Sequence, residues 1–185
     1  MSRALVPLAK GFEDIEAVTI IDVLRRGGVE VVTASIGKDV NVLSAHGILM
    51  CADAIFSKVA DETFDAIILP GGGEGTENLK AFEPLLERLR RQKEDGGLVC
   101  AICAAPTVLE AAGVIEEDQH ITCYPTCAME MEHQCSDAPA IRDGQIITGQ
   151  APGSAMLFAL VVLSTLTDDK TAQKVARGMV TDDLL

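Results

Sequence analysis

With 185 residues, 48% of them hydrophobic, the chain is long enough to bury a substantial core and is expected to form one domain over residues 1–185. No uninterrupted apolar run approaches the roughly eighteen residues that cross a bilayer. The apolar patch in MSRALVPLAKGFED is too short for a secretory signal and has no small-residue cleavage site after it, so a soluble cytoplasmic protein is expected. A net charge of −13 disfavours nucleic acid, which needs a basic stripe, and the six cysteines are expected to be reduced thiols rather than bridges.

Arg3 to Ala9 reads as a short apolar strand ended by Lys10 and Gly11. Glu13, Asp14 and Glu16 suit the positive end of a helix running to about Arg26 and closed by Gly27 and Gly28. Val29 to Ser35 is a second strand, and Val40 to Cys51 a hairpin around Ser44 to Gly47, beside the main sheet. Asp65 to Leu69 is a third core strand, stopped by Pro70 and three glycines. Helix is expected within Asn78 to Lys93, interrupted near Pro84, with Arg88, Arg90, Arg91 and Lys93 interleaved with Glu87 and Glu94 on a solvated face. Leu98 to Ile102, Gln119 to Tyr124 and Gln145 to Thr148 read as further strands. Gly153 to Leu166 reads as a buried helix and Asp168 to Val180 as a more polar final one. Strands alternating with helices argue for an α/β fold, a three-layer sandwich around a mostly parallel sheet with right-handed crossovers. Ligands in such sheets lie beyond the carboxyl ends of the strands. The loops Lys10–Glu16, Pro70–Thr76 and Cys103–Pro106 meet that description.

The strongest chemical signal is GLVCAICAAPTVLE, residues 97–110. An apolar strand ends at Cys103 and passes through Pro106, suited to a first helical turn, into helical spacing at Val108, Leu109 and Ala112. A residue at such a turn faces the unpaired N–H groups of a helix start, which favour negative charge. Cys103 is therefore expected to hold a thiolate more easily than a free cysteine. The layout follows a hydrolase nucleophile elbow with sulfur for oxygen and alanines for the glycines. The glycines of PGGGEG fail the dinucleotide spacing, because Thr76 stands at the third position, and no Gly-Lys-Ser/Thr follows. They either present N–H groups to an oxyanion near Cys103 or form a tight turn.

Glu16 shares a helical face with Ile20, Val23 and Leu24, and Glu13 with Ala17, Ile20 and Leu24. Either carboxyl could be desolvated, stay protonated and donate to a thiolate, and ordinary capping of the helix start accounts for the pattern as well. Cys100 and Cys103 form a C-x-x-C, but on strand geometry they point to opposite faces, which argues against a redox dithiol. Cys123, Cys127 and Cys135, with His120 and His133 nearby, lack zinc spacing, and no metal site is expected. None of the three histidines, His46, His120 and His133, stands in the H-x-E arrangement of a cysteine–histidine–glutamate amidotransferase.

Together, RALVPLAKGFEDIEAV, IDVLRRGGVEV, DAIILPGGGEGTENL, GLVCAICAAPTVL and TGQAPGSAMLFAL resemble the ThiJ/PfpI superfamily, in its DJ-one/YajL-like branch, over almost the whole chain. The resemblance implies a flavodoxin-like sandwich, usually a homodimer, with activities that need no cofactor. It matches Cys103 to a reactive, oxidation-prone cysteine and Glu16 to the protonated glutamate that hydrogen-bonds to it. Gly72 and Ala104 match the backbone N–H donors at that site, and Gly71 and Tyr124 are expected to line the oxyanion and substrate pocket. Many relatives carry a histidine where this chain has Tyr124, and a neutral phenol is a poor general base near pH 7. The implied function is glutathione-independent glyoxalase or deglycase chemistry on methylglyoxal-like α-oxoaldehydes, in defence against carbonyl and oxidative stress. The alternative is a redox sensor or holdase chaperone acting through oxidation of Cys103 to a sulfinic acid held by Glu16. A small carbonyl substrate and a second copy of the chain are the expected partners, with neither nucleic acid nor membrane.

Overall fold

Along the first strand, β1 (Arg3–Leu8), side chains alternate between two cores: Ala4, Val6 and Leu8 enter one, Leu5 the other. That double burial explains why the strands read as continuous apolar runs, the mark of a parallel sheet covered on both faces. The computed structural model describes residues 1–181 and 183.

After β1 come α1 (Asp14–Arg26), β2 (Glu30–Ser35), and an antiparallel hairpin of β3 (Asn41–Leu43) and β4 (Leu49–Cys51) standing apart from the main sheet. The chain returns through β5 (Ala54–Ile55), the short α2 (Phe56–Val59), β6 (Ala66–Leu69), α3 (Gly73–Lys80), α4 (Glu83–Glu94), β7 (Leu98–Ile102) and α5 (Pro106–Ala112). Next, β8 (Ile121–Thr122), α6 (Pro125–Ala128) and β9 (Cys135–Ser136) form a small excursion in which β8 pairs with β9. The chain closes with β10 (Ala140–Asp143), β11 (Ile146–Gly149), a 3-10 turn at Pro152–Ser154, α7 (Ala155–Leu166) and α8 (Asp169–Gly178).

The central sheet runs β10-β11-β7-β6-β1-β2-β5, parallel except for β10 against β11. One face is covered by α1, α7 and α8 through Ile20, Leu24, Phe158, Leu163 and Ala176. The other is covered by α3, α4 and α5 through Leu79, Leu85, Leu89, Val108 and Leu109. This is the flavodoxin-like three-layer sandwich the sequence predicts. No helix among the described residues is long and apolar enough to cross a membrane.

Two local expectations change and a third holds. The helix expected from Asn78 begins at Gly73, because Gly72 turns the chain at φ 96° and its carbonyl accepts Thr76 N–H at 2.7 Å. The interruption expected near Pro84 is present: α3 ends at Lys80 and α4 begins at Glu83, with Pro84 in its first turn, where its missing N–H is harmless. The strand expected over Gln119–Tyr124 shrinks to two residues outside the central sheet. The start of α8 offers a simple check. Asp168 caps it by accepting Thr171 N–H at 2.9 Å, so Asp168→Ala is expected to lower stability in urea by about 1 kcal/mol.

Candidate active site

From β1 the chain moves outward to β2 and β5, then crosses back to lay β6 on the other side of β1. Strand order therefore reverses between β1 and β6, and a crevice opens at their carboxyl ends. Three segments enter it: the start of α1 after β1, Pro70–Gly72 after β6, and Cys103–Ala105 after β7.

Cys103 is a non-glycine residue at φ 64°, in the left-handed region. That conformation costs about 1 kcal/mol or more and persists only where surroundings enforce it. Here they do. Cys103 N–H donates to Gly149 carbonyl at 2.9 Å, extending the β7–β11 ladder by one residue. Its own carbonyl accepts Tyr124 N–H at 2.8 Å and the Cys123 thiol at 3.2 Å. The turn aims the side chain at the backbone N–H groups of Gly72 and Ala104, both of which hydrogen-bond to the sulfur. Because the chain leaves strand geometry here, Cys100 and Cys103 pack into the same core cluster rather than on opposite faces. Cys100 is fully buried and its thiol is free.

Glu16 is completely buried on the inner face of α1, above Ile20 and Leu24. Its Oε2 accepts Gly71 N–H at 2.7 Å. Its Oε1 has no hydrogen-bond partner among the described residues, and the Cys103 thiol stands beside the carboxyl. A side chain on Gly71 would meet Cys103 Cβ at 2.8 Å and Glu16 Oε2 at 2.9 Å, so glycine is the residue that lets the two functional side chains meet. Gly71 is thus placed at the site, but its N–H is taken by Glu16. The donors to sulfur are Gly72 and Ala104.

Burial pushes the Glu16 carboxyl up to about 7, with the Glu13 charge adding to it, against the hydrogen bonds from Gly71 and Cys103. Cys103 differs from the sequence expectation of an easy thiolate. Burial first, then the charge and hydrogen bond of an ionised Glu16, push its thiol up to about 12, against the Gly72 and Ala104 N–H groups. The two Glu16 contributions exist only while that carboxyl is ionised. A Glu16 that holds the proton donates to sulfur instead, and the N–H groups then favour thiolate unopposed by charge. The protonation of each thus depends on the other. The arrangement can therefore deliver a nucleophilic sulfur, a proton carrier beside it and two fixed donors for developing negative charge.

Glu13, the other candidate, is the N-cap of α1: its Oε1 accepts Ile15 N–H at 3.4 Å. Capping thus falls to Glu13, and burial beside Cys103 to Glu16. Tyr124 is fixed to the elbow through its backbone, while its side chain is exposed and begins α6. The histidines are engaged elsewhere, His46 with Asp14 and His133 with Glu110, each at 2.8 Å, and His120 through its N–H to Asp143 at 2.9 Å. Sequence reasoning missed the Gly149 carbonyl and the Cys123 thiol as supports of Cys103. Both lie far along the chain, and no local pattern signals them.

The model of the DJ-1/PfpI family matches residues 2–165. An Arabidopsis thaliana protein named DJ-1 homolog B is 40% identical over 181 residues, covering 96% of this chain. The chain spans only 41% of that plant protein's length. A Caenorhabditis elegans protein named glutathione-independent glyoxalase DJR-1.2 is 37% identical over 157 residues, covering 83% of this chain and 82% of its own. The crystal structure of Drosophila melanogaster DJ-1beta superposes with a TM-score of 0.93 at 35% identity, over 97% of this chain and 98% of that one. A match running from the first strand into α7, joined to a fold that coincides over nearly all of both chains, leaves one conclusion: the chain belongs to the DJ-1/PfpI family.

Proposed function

We propose that the protein is a cysteine-dependent, glutathione-independent glyoxalase, acting on methylglyoxal-like α-oxoaldehydes and, at the same site, on their adducts as a deglycase. The observation that carries this reading is the meeting of Cys103 with a buried Glu16 and with the N–H groups of Gly72 and Ala104. The C. elegans relative named for that activity supports it. Cys103 sulfur attacks the aldehyde carbon and forms a C–S bond, and the thiol proton passes through Glu16 to the aldehyde oxygen, giving a hemithioacetal. Glu16 then takes the proton from that carbon and returns it to the neighbouring carbonyl carbon, while the hemithioacetal hydroxyl proton passes to the neighbouring oxygen, so that the sulfur-bearing carbon becomes the carbonyl. The developing oxyanion lies on the Gly72 and Ala104 N–H groups during this transfer. The product is a thioester of a hydroxy acid. Water adds to it, the C–S bond breaks, and Cys103 recovers its proton. The net reaction is addition of one water to an oxoaldehyde, so no external oxidant or reductant is needed. Tyr124, exposed at the crevice edge, lines the substrate's approach. The protein acts as a cytoplasmic homodimer in this reading.

The same donors that hold an oxyanion would hold a sulfinate, so the redox-sensor reading uses the same residues. The two differ in stoichiometry. Freshly reduced protein given methylglyoxal without glutathione is expected to release many equivalents of lactate per chain with the mass at Cys103 unchanged. One equivalent or less, with peroxide adding oxygen at Cys103 alone, would replace the enzyme by the sensor.

A further inference from the structure

Three of the chain's six cysteines, Cys123, Cys127 and Cys135, lie in the excursion of β8, α6 and β9, and none supplies a group to the reaction proposed above. All three are free thiols. β8 and β9 pair in parallel with Ile121 opposite Cys135. Residues opposite one another share a face of a ladder, and so do residues two apart on a strand. Continued one residue past β8, that alternation brings Cys123 back to the face of Cys135, and the two thiols stand beside one another. From this placement we propose that Cys123 and Cys135 are a redox pair that a hydroperoxide closes to a disulfide, independently of Cys103.

Both segments are anchored, while one of the two thiols is free to turn. Glu110 Oε1 accepts the N–H groups of Glu132 at 3.0 Å and His133 at 3.2 Å and lies 2.8 Å from His133 Nδ1, which fixes the approach to β9. Cys123 is buried, and its thiol donates to Cys103 carbonyl at 3.2 Å. The Cys135 thiol has looser partners, Met131 Sδ and His133 carbonyl, both at 3.8 Å, and is only partly buried. It is the sulfur that a peroxide reaches first and the one that rotates. Cys127 is the rival partner, but it lies in α6, outside the β8–β9 ladder, and acts on Cys123 less than Cys135 does. In the first step the Cys135 sulfur takes one peroxide oxygen as the O–O bond breaks, giving a sulfenic acid and, from hydrogen peroxide, water. The Cys123 sulfur then attacks the Cys135 sulfur. The S–S bond forms, the S–O bond breaks, and the hydroxyl leaves as water with the Cys123 proton. Two thiols are oxidised and one peroxide is reduced. Closure consumes the Cys123 S–H, so Cys103 carbonyl is left with Tyr124 N–H alone.

Cleavage after Glu130 and Glu132 separates Cys123 and Cys127 from Cys135, so a peptide map reads the bond directly. Full-length Cys103→Ser, treated with stoichiometric hydrogen peroxide and taken as the monomer from a non-reducing gel, is expected to yield the Cys123 and Cys135 fragments joined. Dithiothreitol should part them, and the wild-type chain should give the same joined pair. In the Cys103→Ser background, Cys127→Ser is expected to leave the yield of joined fragments unchanged and Cys135→Ser to abolish it. Joined fragments that vanish in Cys127→Ser, a bond confined to the fragment holding Cys123 and Cys127, or Cys135 left as a thiol or carried to a sulfinic acid with no joined fragments would each overturn the pair.

Discussion

Glutathione-free lactate formation is expected to fall by at least about a thousandfold in Cys103→Ser and by about a hundredfold or more in Glu16→Gln. The two losses should not multiply, because without the sulfur there is no hemithioacetal for Glu16 to work on. Serine at φ 64° keeps the elbow but offers an alcohol that a neutral carboxyl cannot activate. Glutamine keeps the Gly71 hydrogen bond and the volume, yet it cannot accept the proton that moves from one carbon to the next. Lactate measured against enzyme concentration decides it: a Glu16→Gln variant with near wild-type turnover would remove the proton shuttle from the mechanism.

The same substitution carries an opposite effect on stability. Glu16 sits at about 7 in the folded chain against an ordinary 4.5. A raised carboxyl contributes its stability in full below the unfolded pKa and loses it as pH rises through the folded one. The burden at pH above about 8 amounts to about 3 kcal/mol relative to acid. Glutamine never ionises, so Glu16→Gln should gain on the wild type by up to that amount as pH rises from about 5 to about 8. Urea unfolding at the two pH values checks the sign. A variant that loses activity while gaining alkaline stability would place Glu16 among residues whose strain serves chemistry.

Much of this was legible in the sequence because it is written locally. Strand and helix alternation fixes the sandwich, since runs such as DAIIL and LVCAI have no polar face to give to water. The elbow was legible for the same reason: an apolar strand, a cysteine, two alanines and a proline at the start of helical spacing follow one another along the chain. The protonation of the pair was not. A helix start near Cys103 argues for thiolate, but burial of the sulfur outweighs it, and next comes Glu16, 87 positions earlier in the chain and brought against the sulfur by β1–β6–β7 pairing. The choice between Glu13 and Glu16 hinged on one turn of helix phase, because both share Ile20 and Leu24. The hairpin contact of His46 with Asp14, 32 residues apart, has no local signature. Residues that depend on non-local closure stay hidden until the sheet order is known.

Gly72→Ala tests whether the loop after β6 is a turn or part of the chemistry. Gly72 lies at φ 96°, where an L side chain is strained by about 1–2 kcal/mol. A Cβ there would also stand 2.4 Å from Gly11 carbonyl oxygen, 2.7 Å from Glu13 nitrogen and 2.9 Å from Phe12 carbonyl carbon. All three are backbone atoms and cannot rotate away, so the loop must move as a body. Its movement draws the Gly72 N–H off the Cys103 sulfur and loosens the Glu13 N–H bond to Gly71 carbonyl, 2.9 Å, which ties α1 to the loop. Loss of one such oxyanion donor costs about a hundredfold or more in turnover, and the strain and clash together should lower stability by about 3 kcal/mol. Gly73→Ala is the matched control. One residue on, it opens α3 at an ordinary φ with nothing within 4 Å of its would-be Cβ. It should leave activity intact and stability unchanged or raised by up to about 1 kcal/mol. If Gly72→Ala keeps full turnover while losing stability, the loop is architecture alone, and the oxyanion must rest on Ala104 N–H by itself.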